Sequence, residues 1–251
     1  MKKTKKLYLI AMLAALIMVF HTSCGTGYNY SSASVLTYHL ILDEPYTEYH
    51  YLFVKPADFE AQLKYISESG AETVFASELT SGKFSRSSVK PVCITFDDGY
   101  EDNYTNAFPL LKKYNIKATI FVVPKTIGTE RHLTDAQLYE MSSSGLVSIQ
   151  SHGLTHSSLV GLSREKLEYE LSESKELIES ITCMPVTALC YPYGAYDDSV
   201  KAAAARYYTA AFTTEPPSDE SGYKLDVFAF PRSYVVRDMD IDDFKRILGN
   251  K

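Results

Sequence analysis

Short apolar runs alternate with amphipathic stretches along most of this chain, and that alternation limits its fold more than any other feature. Strand candidates fall at 35–41, 73–75, 92–96, 118–123, 147–150, 187–191, 209–213 and 227–230. Helical patterns lie between them, around 56–69, 104–114, 134–144, 163–181 and 197–207, with a last one around 240–248. The strand runs are nearly continuous in apolar residues rather than alternating, as expected when both faces of a sheet are covered. Repeated βα units of this kind predict a parallel sheet, open or closed into a barrel. Local signals agree. Pro56 suits a first helical position, and Thr134 with Gln137 forms a capping box. Ser163 can cap a helix whose Leu167, Leu171, Ile178 and Ile181 share one face. Nothing marks a second domain or an internal repeat.

The amino-terminal segment has a different character. Lys2, Lys3, Lys5 and Lys6 precede an apolar run from Leu7 to Phe20, the pattern of an export signal. The run is short for a bilayer span, which needs about 20 residues. His21-Thr22-Ser23-Cys24-Gly25 follows and resembles a bacterial lipoprotein processing site, with His21 where Leu is usual. Residues 1–23 are therefore expected to be removed and Cys24 to become a lipidated first residue, anchoring an exported protein to the membrane. Ordinary secretion is the alternative. Residues 24–34 would form a polar linker, and 35–251 the folded domain.

The formal net charge is -6, and it is -10 once the lysine-rich first 23 residues are set aside. A chain this acidic has no general electrostatic footprint for nucleic acid. Beyond Cys24 there are Cys93, Cys183 and Cys190, with no C-x-x-C pair, so a structural zinc site is not expected. Cys183 and Cys190 could pair in an oxidising compartment, but three small buried residues are the simpler expectation. No protein partner is implied.

Three strand ends carry unusual cargo. They read Thr95-Phe96-Asp97-Asp98-Gly99-Tyr100, Ser151-His152-Gly153-Leu154-Thr155-His156, and Cys190-Tyr191-Pro192-Tyr193-Gly194. Alone, Asp-Asp-Gly is a common turn, a His pair is more often surface than ligand, and Tyr-Pro-Tyr-Gly is an ordinary turn. Together they stand at carboxyl ends of strands, where parallel α/β folds place functional groups. Two imidazoles spaced to share a helical turn, plus one carboxylate, suit zinc or a related divalent ion with open positions. Adjacent aspartates point apart, so one can join the histidines and leave the other as a base. That division suits metal-assisted hydrolysis.

These motifs resemble those of the polysaccharide deacetylases of carbohydrate esterase family four, from about Val35 to Arg232. The resemblance implies a single-domain distorted (β/α) barrel of about seven parallel strands. It implies Asp97 as base, Asp98, His152 and His156 as ligands of one divalent ion (zinc, with cobalt, nickel or iron open), and an N-acetylated polysaccharide as substrate. Tyr100, Pro192 and Tyr193 would lie against that substrate. The family's Arg at the head of the third motif is replaced by Cys190, and its carboxyl-terminal Leu-x-His is missing. The early Thr37-Tyr38-His39 instead resembles the permuted subgroup of poly-β-1,6-N-acetylglucosamine deacetylases. There Arg232, in Phe230-Pro231-Arg232, could supply the Arg that contacts Asp97; a surface ion pair is the equal alternative. By elimination His39 is the candidate proton donor, while His50 and His132 are expected to be exposed loop histidines. An O-acetyl xylan esterase and an inactive glycan-binding module are the alternatives. An iron oxygenase is disfavoured by the parallel pattern, and a glycosidase by the adjacency of its two carboxylates.

Overall fold

The computed structural model describes residues 33–44, 51–81, 90–218 and 225–249. The expected signal, Cys24, most of the linker and His50 lie outside the described residues. Seven strands, all paired in parallel, form one curled sheet. They are β1 (Ser34–Tyr38), β4 (Val92–Phe96), β5 (Ala118–Val122), β6 (Val147–Ser151), β7 (Ala188–Cys190), β8 (Ala210–Phe212) and β9 (Ser233–Tyr234), in the spatial order β8-β7-β6-β5-β4-β1-β9. A separate two-stranded parallel piece joins β2 (Leu40–Ile41) to β3 (Phe53–Val54). The helices are α1 (Pro56–Ser69), α2 (Ala76–Ser81), α3 (Phe108–Tyr114), α4 (Asp135–Ser143), α5 (Arg164–Thr182), α6 (Asp198–Ala204) and α7 (Ile241–Ile247). This is a single-domain α/β half-barrel.

The apolar runs are explained by burial on both sides. Every residue of β1, β4 and β5 is buried. Alternate residues face opposite ways: Ile94 and Phe96 join the layer under the helices, while Cys93 packs inside the curl with Phe121, Cys190, Phe212 and Phe230. Local helix signals behave as their chemistry demands. The Thr134–Gln137 capping box is formed in both directions, and Ser163 accepts from the Lys166 N–H.

The differences from expectation sit near the site. The first strand does not run unbroken from 35 to 41; it stops at Tyr38, and Leu40 begins the separate pair with Phe53. Residues 73–75 are not a strand: Thr73 makes one bridge to Val92, and the Phe75 N–H turns to Glu78 Oε2 at the start of α2. Residues 227–230 are likewise reduced to one bridge, Phe212 to Phe230. That segment hydrogen-bonds along β8, through Phe230 N–H to Ala211 and Thr213 N–H to Phe230. It then crosses to β1 as β9. The crossing spans the gap in the barrel, and Arg232 lies in it, fully buried.

Candidate active site

The Asp-Asp-Gly turn sends its two carboxylates apart through backbone conformation. Asp97 continues the inward alternation of Cys93 and Thr95 and is buried, its N–H bonded to the Tyr38 carbonyl. Asp98 adopts a left-handed φ of 72°, which non-glycine residues take mainly when surrounding structure imposes it. Gly99 follows at φ +75, where a Cβ would stand 3.0 Å from Val122 Cγ1.

Asp97 is gripped by Arg232. The guanidinium donates through Nη1 to Oδ1 at 2.8 Å and through Nη2 to Oδ2 at 2.7 Å, a two-pronged pair with both groups out of solvent. Its remaining donors go to the Thr213 carbonyl, Thr95 Oγ1 and Cys190 Sγ. Burial alone would raise the Asp97 carboxyl, but the Arg232 charge and hydrogen bonds outweigh it and hold the group well below the usual carboxylate range. Arg232 is therefore no surface ion pair.

Asp98 faces the histidines. Its Oδ1 is 3.6 Å from His152 Nε2 and 3.3 Å from His156 Nε2. One donor atom from each of the three lies within 4.8 Å of the others. The set fits a divalent ion on its chemistry. His152 Nδ1 is 2.8 Å from the Cys190 carbonyl, which only accepts, so that nitrogen carries the proton and Nε2 presents its lone pair. A second triplet of comparable span, Asp97, His152 and Cys190, lacks that freedom, because Arg232 already occupies both Asp97 oxygens and the thiol. The histidines do not share a helical turn, as their spacing had suggested. They bracket an irregular loop with Gly153 at φ +74 and His156 at φ +60.

His39 stands in the break between β1 and β2, with Nε2 3.9 Å from Asp97 Oδ2 and its ring stacked near Tyr234. Side chains from the turn after Gly99 hold that break open. Asn103 Nδ2 donates to the His39 carbonyl, and the Ile41 N–H donates to Asp102 Oδ1. Burial lowers the imidazole pKa below its ordinary value, partly offset by the Asp97 and Asp98 charges.

These residues open onto one cavity of about 530 Å³, within the range of small-ligand pockets. Tyr193, 67% exposed, stands over His156 with ring centroids 4.6 Å apart. Tyr193 and Gly194 are both left-handed, and a Cβ at Gly194 would collide with the Thr214 side chain. Pro192 is buried below this turn, with its Cγ facing Gly153, and is not part of the cavity wall. Tyr100 is on the wall, stacked on His132 at 5.3 Å. His132 is thus half-buried at the cavity rather than a plain loop histidine, brought there by an antiparallel bridge to Tyr100 that local sequence does not announce. Tyr191 also reaches the wall, as do Tyr51 and Tyr234, which carried no sequence signal. Cys93, Cys183 and Cys190 are all free. Cys183 is exposed and Cys190 buried beside Arg232, so neither their pairing nor the burial of all three holds.

Comparison with known proteins follows the same lines. The polysaccharide deacetylase family model matches residues 85–211. YxkH of Bacillus subtilis, named for that family, is 41% identical over 182 residues, covering 69% of this chain and 64% of its own length, so the match spans under two thirds of that relative. A poly-β-1,6-N-acetyl-D-glucosamine N-deacetylase of Staphylococcus aureus is 28% identical over 201 residues, 68% of each chain. The crystal structure of BC0361, a polysaccharide deacetylase from Bacillus cereus, superposes with a TM-score of 0.78 at 32% identity, covering 86% of this chain and 68% of the other. With an Arg-tethered aspartate beside an Asp-His-His cluster on a half-barrel, and these matches, this chain belongs to the polysaccharide deacetylase family.

Proposed function

We propose that the protein hydrolyses N-acetyl groups from an amino-sugar polysaccharide with the help of one divalent metal ion. The observation that carries this is the convergence on one cavity of the Asp98-His152-His156 donor set, the Arg232-held Asp97 and His39. Asp98, His152 and His156 would hold the ion, most suitably zinc, which when bound would supply Lewis acidity for the acetyl carbonyl and for water. Asp97 stays ionised and fixed in direction, so it orients the attacking water and accepts its proton. Because Arg232 lowers its proton affinity, Asp97 gives that proton up to solvent as acetate leaves, and solvent likewise reprotonates His39 for the next turnover. His39, 3.9 Å from Asp97 Oδ2, donates to the departing nitrogen, which leaves poorly unless protonated. Tyr100 and Tyr193 offer aromatic faces to sugar rings.

Poly-N-acetylglucosamine is the favoured polymer, on the strength of the Staphylococcus aureus relative; peptidoglycan and chitin-like chains have the same reacting group. The test is acetate release from a panel of N-acetylated glycans and O-acetylated xylan, with and without chelator. Release from xylan alone would make it an ester hydrolase. No release from any member would make it a binding module. We further propose export and a lipid anchor on Cys24. Among the described residues no helix is long and apolar enough to cross a membrane. Wild type should enter the detergent phase and Cys24→Ser should not; equal recovery from the aqueous phase would leave plain secretion.

A further inference from the structure

Gly153, Leu154 and Thr155 separate the two histidines that face Asp98, and they belong to no helix or strand. Most of their polar groups are nonetheless met, largely from α5. Glu170 Oε2 accepts the N–H groups of Leu154 at 2.9 Å and Thr155 at 3.1 Å, and Oε1 accepts the Thr155 hydroxyl at 2.6 Å. Ser174, one turn further along the same helix face, donates to the Gly153 carbonyl. Ser151 Oγ accepts the Gly153 N–H, and the Lys125 N–H meets the Leu154 carbonyl. Glu170 is only 8% exposed, and its carboxylate has no basic side chain among these partners. A buried carboxylate is expensive unless hydrogen-bonded, and here the loop between the histidines does the bonding.

We propose that Glu170, supported by Ser174, is a positioning residue for His152 and His156. It holds the loop in the left-handed conformation that keeps His156 facing Asp98, so that the three donors are arranged before an ion arrives. This rests on the assignment of Asp98, His152 and His156 as ligands. Without the clamp, the Leu154 and Thr155 N–H groups lose their acceptor and His156 relaxes from φ +60 toward ordinary backbone conformations. Ion binding must then reorder the loop. Partners that orient metal ligands typically contribute about 10–100-fold in affinity.

The test is Zn²⁺ affinity of the whole protein, measured by competition with a chromophoric chelator, beside circular dichroism of the metal-free form. Glu170→Ala should bind about 10–100-fold more weakly with an unchanged spectrum. Glu170→Gln should stay within about threefold, because its carbonyl can accept both N–H groups while its amide donates to the Thr155 hydroxyl. If the alanine variant does not fold, Glu170→Asp keeps the charge but falls one methylene short, and should show the same weakening. A purely structural role predicts lower thermal stability with affinity unchanged. A folded alanine or aspartate variant that binds as tightly as wild type overturns the proposal alone. Wild type binding no tighter than His152→Ala would remove the ligand assignment, and this proposal with it.

Discussion

Replacing Arg232 by Met tests the most exposed physical assumption about the site, that a buried pair keeps Asp97 ionised. Met fills much of the same volume but removes every donor. Asp97 would lose bonds of 2.8 and 2.7 Å while staying buried, and the Thr213 carbonyl would lose its Nε partner. Removing one member of a buried pair costs about 3–5 kcal/mol. At about 2–4 °C per kcal/mol for a chain of this size, the midpoint should fall by roughly 6–20 °C near neutral pH. The pH dependence is more telling. In wild type the Asp97 carboxyl lies below its unfolded value, so its contribution is complete above about pH 4 and is lost only as the pH falls further. In the variant, burial without a partner raises the carboxyl above its unfolded value. Its folded form then binds the proton more tightly, and stability declines as the pH rises from about 4. The gap between the two proteins should therefore widen from acid to neutral pH. Thermal and denaturant unfolding at several pH values, with EDTA present so that a bound ion masks nothing, measures this. A difference below about 1 kcal/mol, or one independent of pH, would refute the reasoning.

The other expectations are more direct. Asp97→Asn is nearly isosteric, so it should retain divalent metal while deacetylation falls at least about 100-fold; His152→Ala should instead lose metal, as elemental analysis would show. His39→Ala should keep fold and metal, lose most amide hydrolysis, and lose far less on an aryl acetate, whose leaving group needs no acid. Since burial lowers the His39 imidazole, the protonated form required of a donor is depleted on raising the pH. The kcat/KM of the free enzyme should then decline from below about pH 6.5, a limb absent in His39→Ala. Gly194→Ala should destabilise by about 2 kcal/mol or more in urea unfolding, because its Cβ meets Thr214 in a left-handed turn. A neutral result there would mean that the turn carrying Tyr193 can shift freely.

Much of the scaffold follows from local sequence, because burial on both faces of a parallel sheet leaves continuous apolar runs and helix caps leave short-range signatures. Six of the seven strands of the sheet, the Thr134 and Ser163 caps, and the placing of Asp97, Asp98, His152 and His156 at strand ends are of this kind. Elements built from a few residues have no period to read. Ser233–Tyr234 is two residues long, and α2 is six. The sorting of the two aspartates depends on the positive φ of Asp98, which the fold imposes. His39 owes its setting to Asn103 and Asp102, more than 60 positions away, which stop β1 and turn the chain aside. Arg232 reaches Asp97 across 135 residues, only because the segment after β8 crosses the opening of the barrel. Glu170 meets the histidine loop only because α5 packs beside it. Hydrophobic periodicity is written locally, whereas the partner of a buried charge is whatever distant side chain closure of the barrel brings within 3 Å.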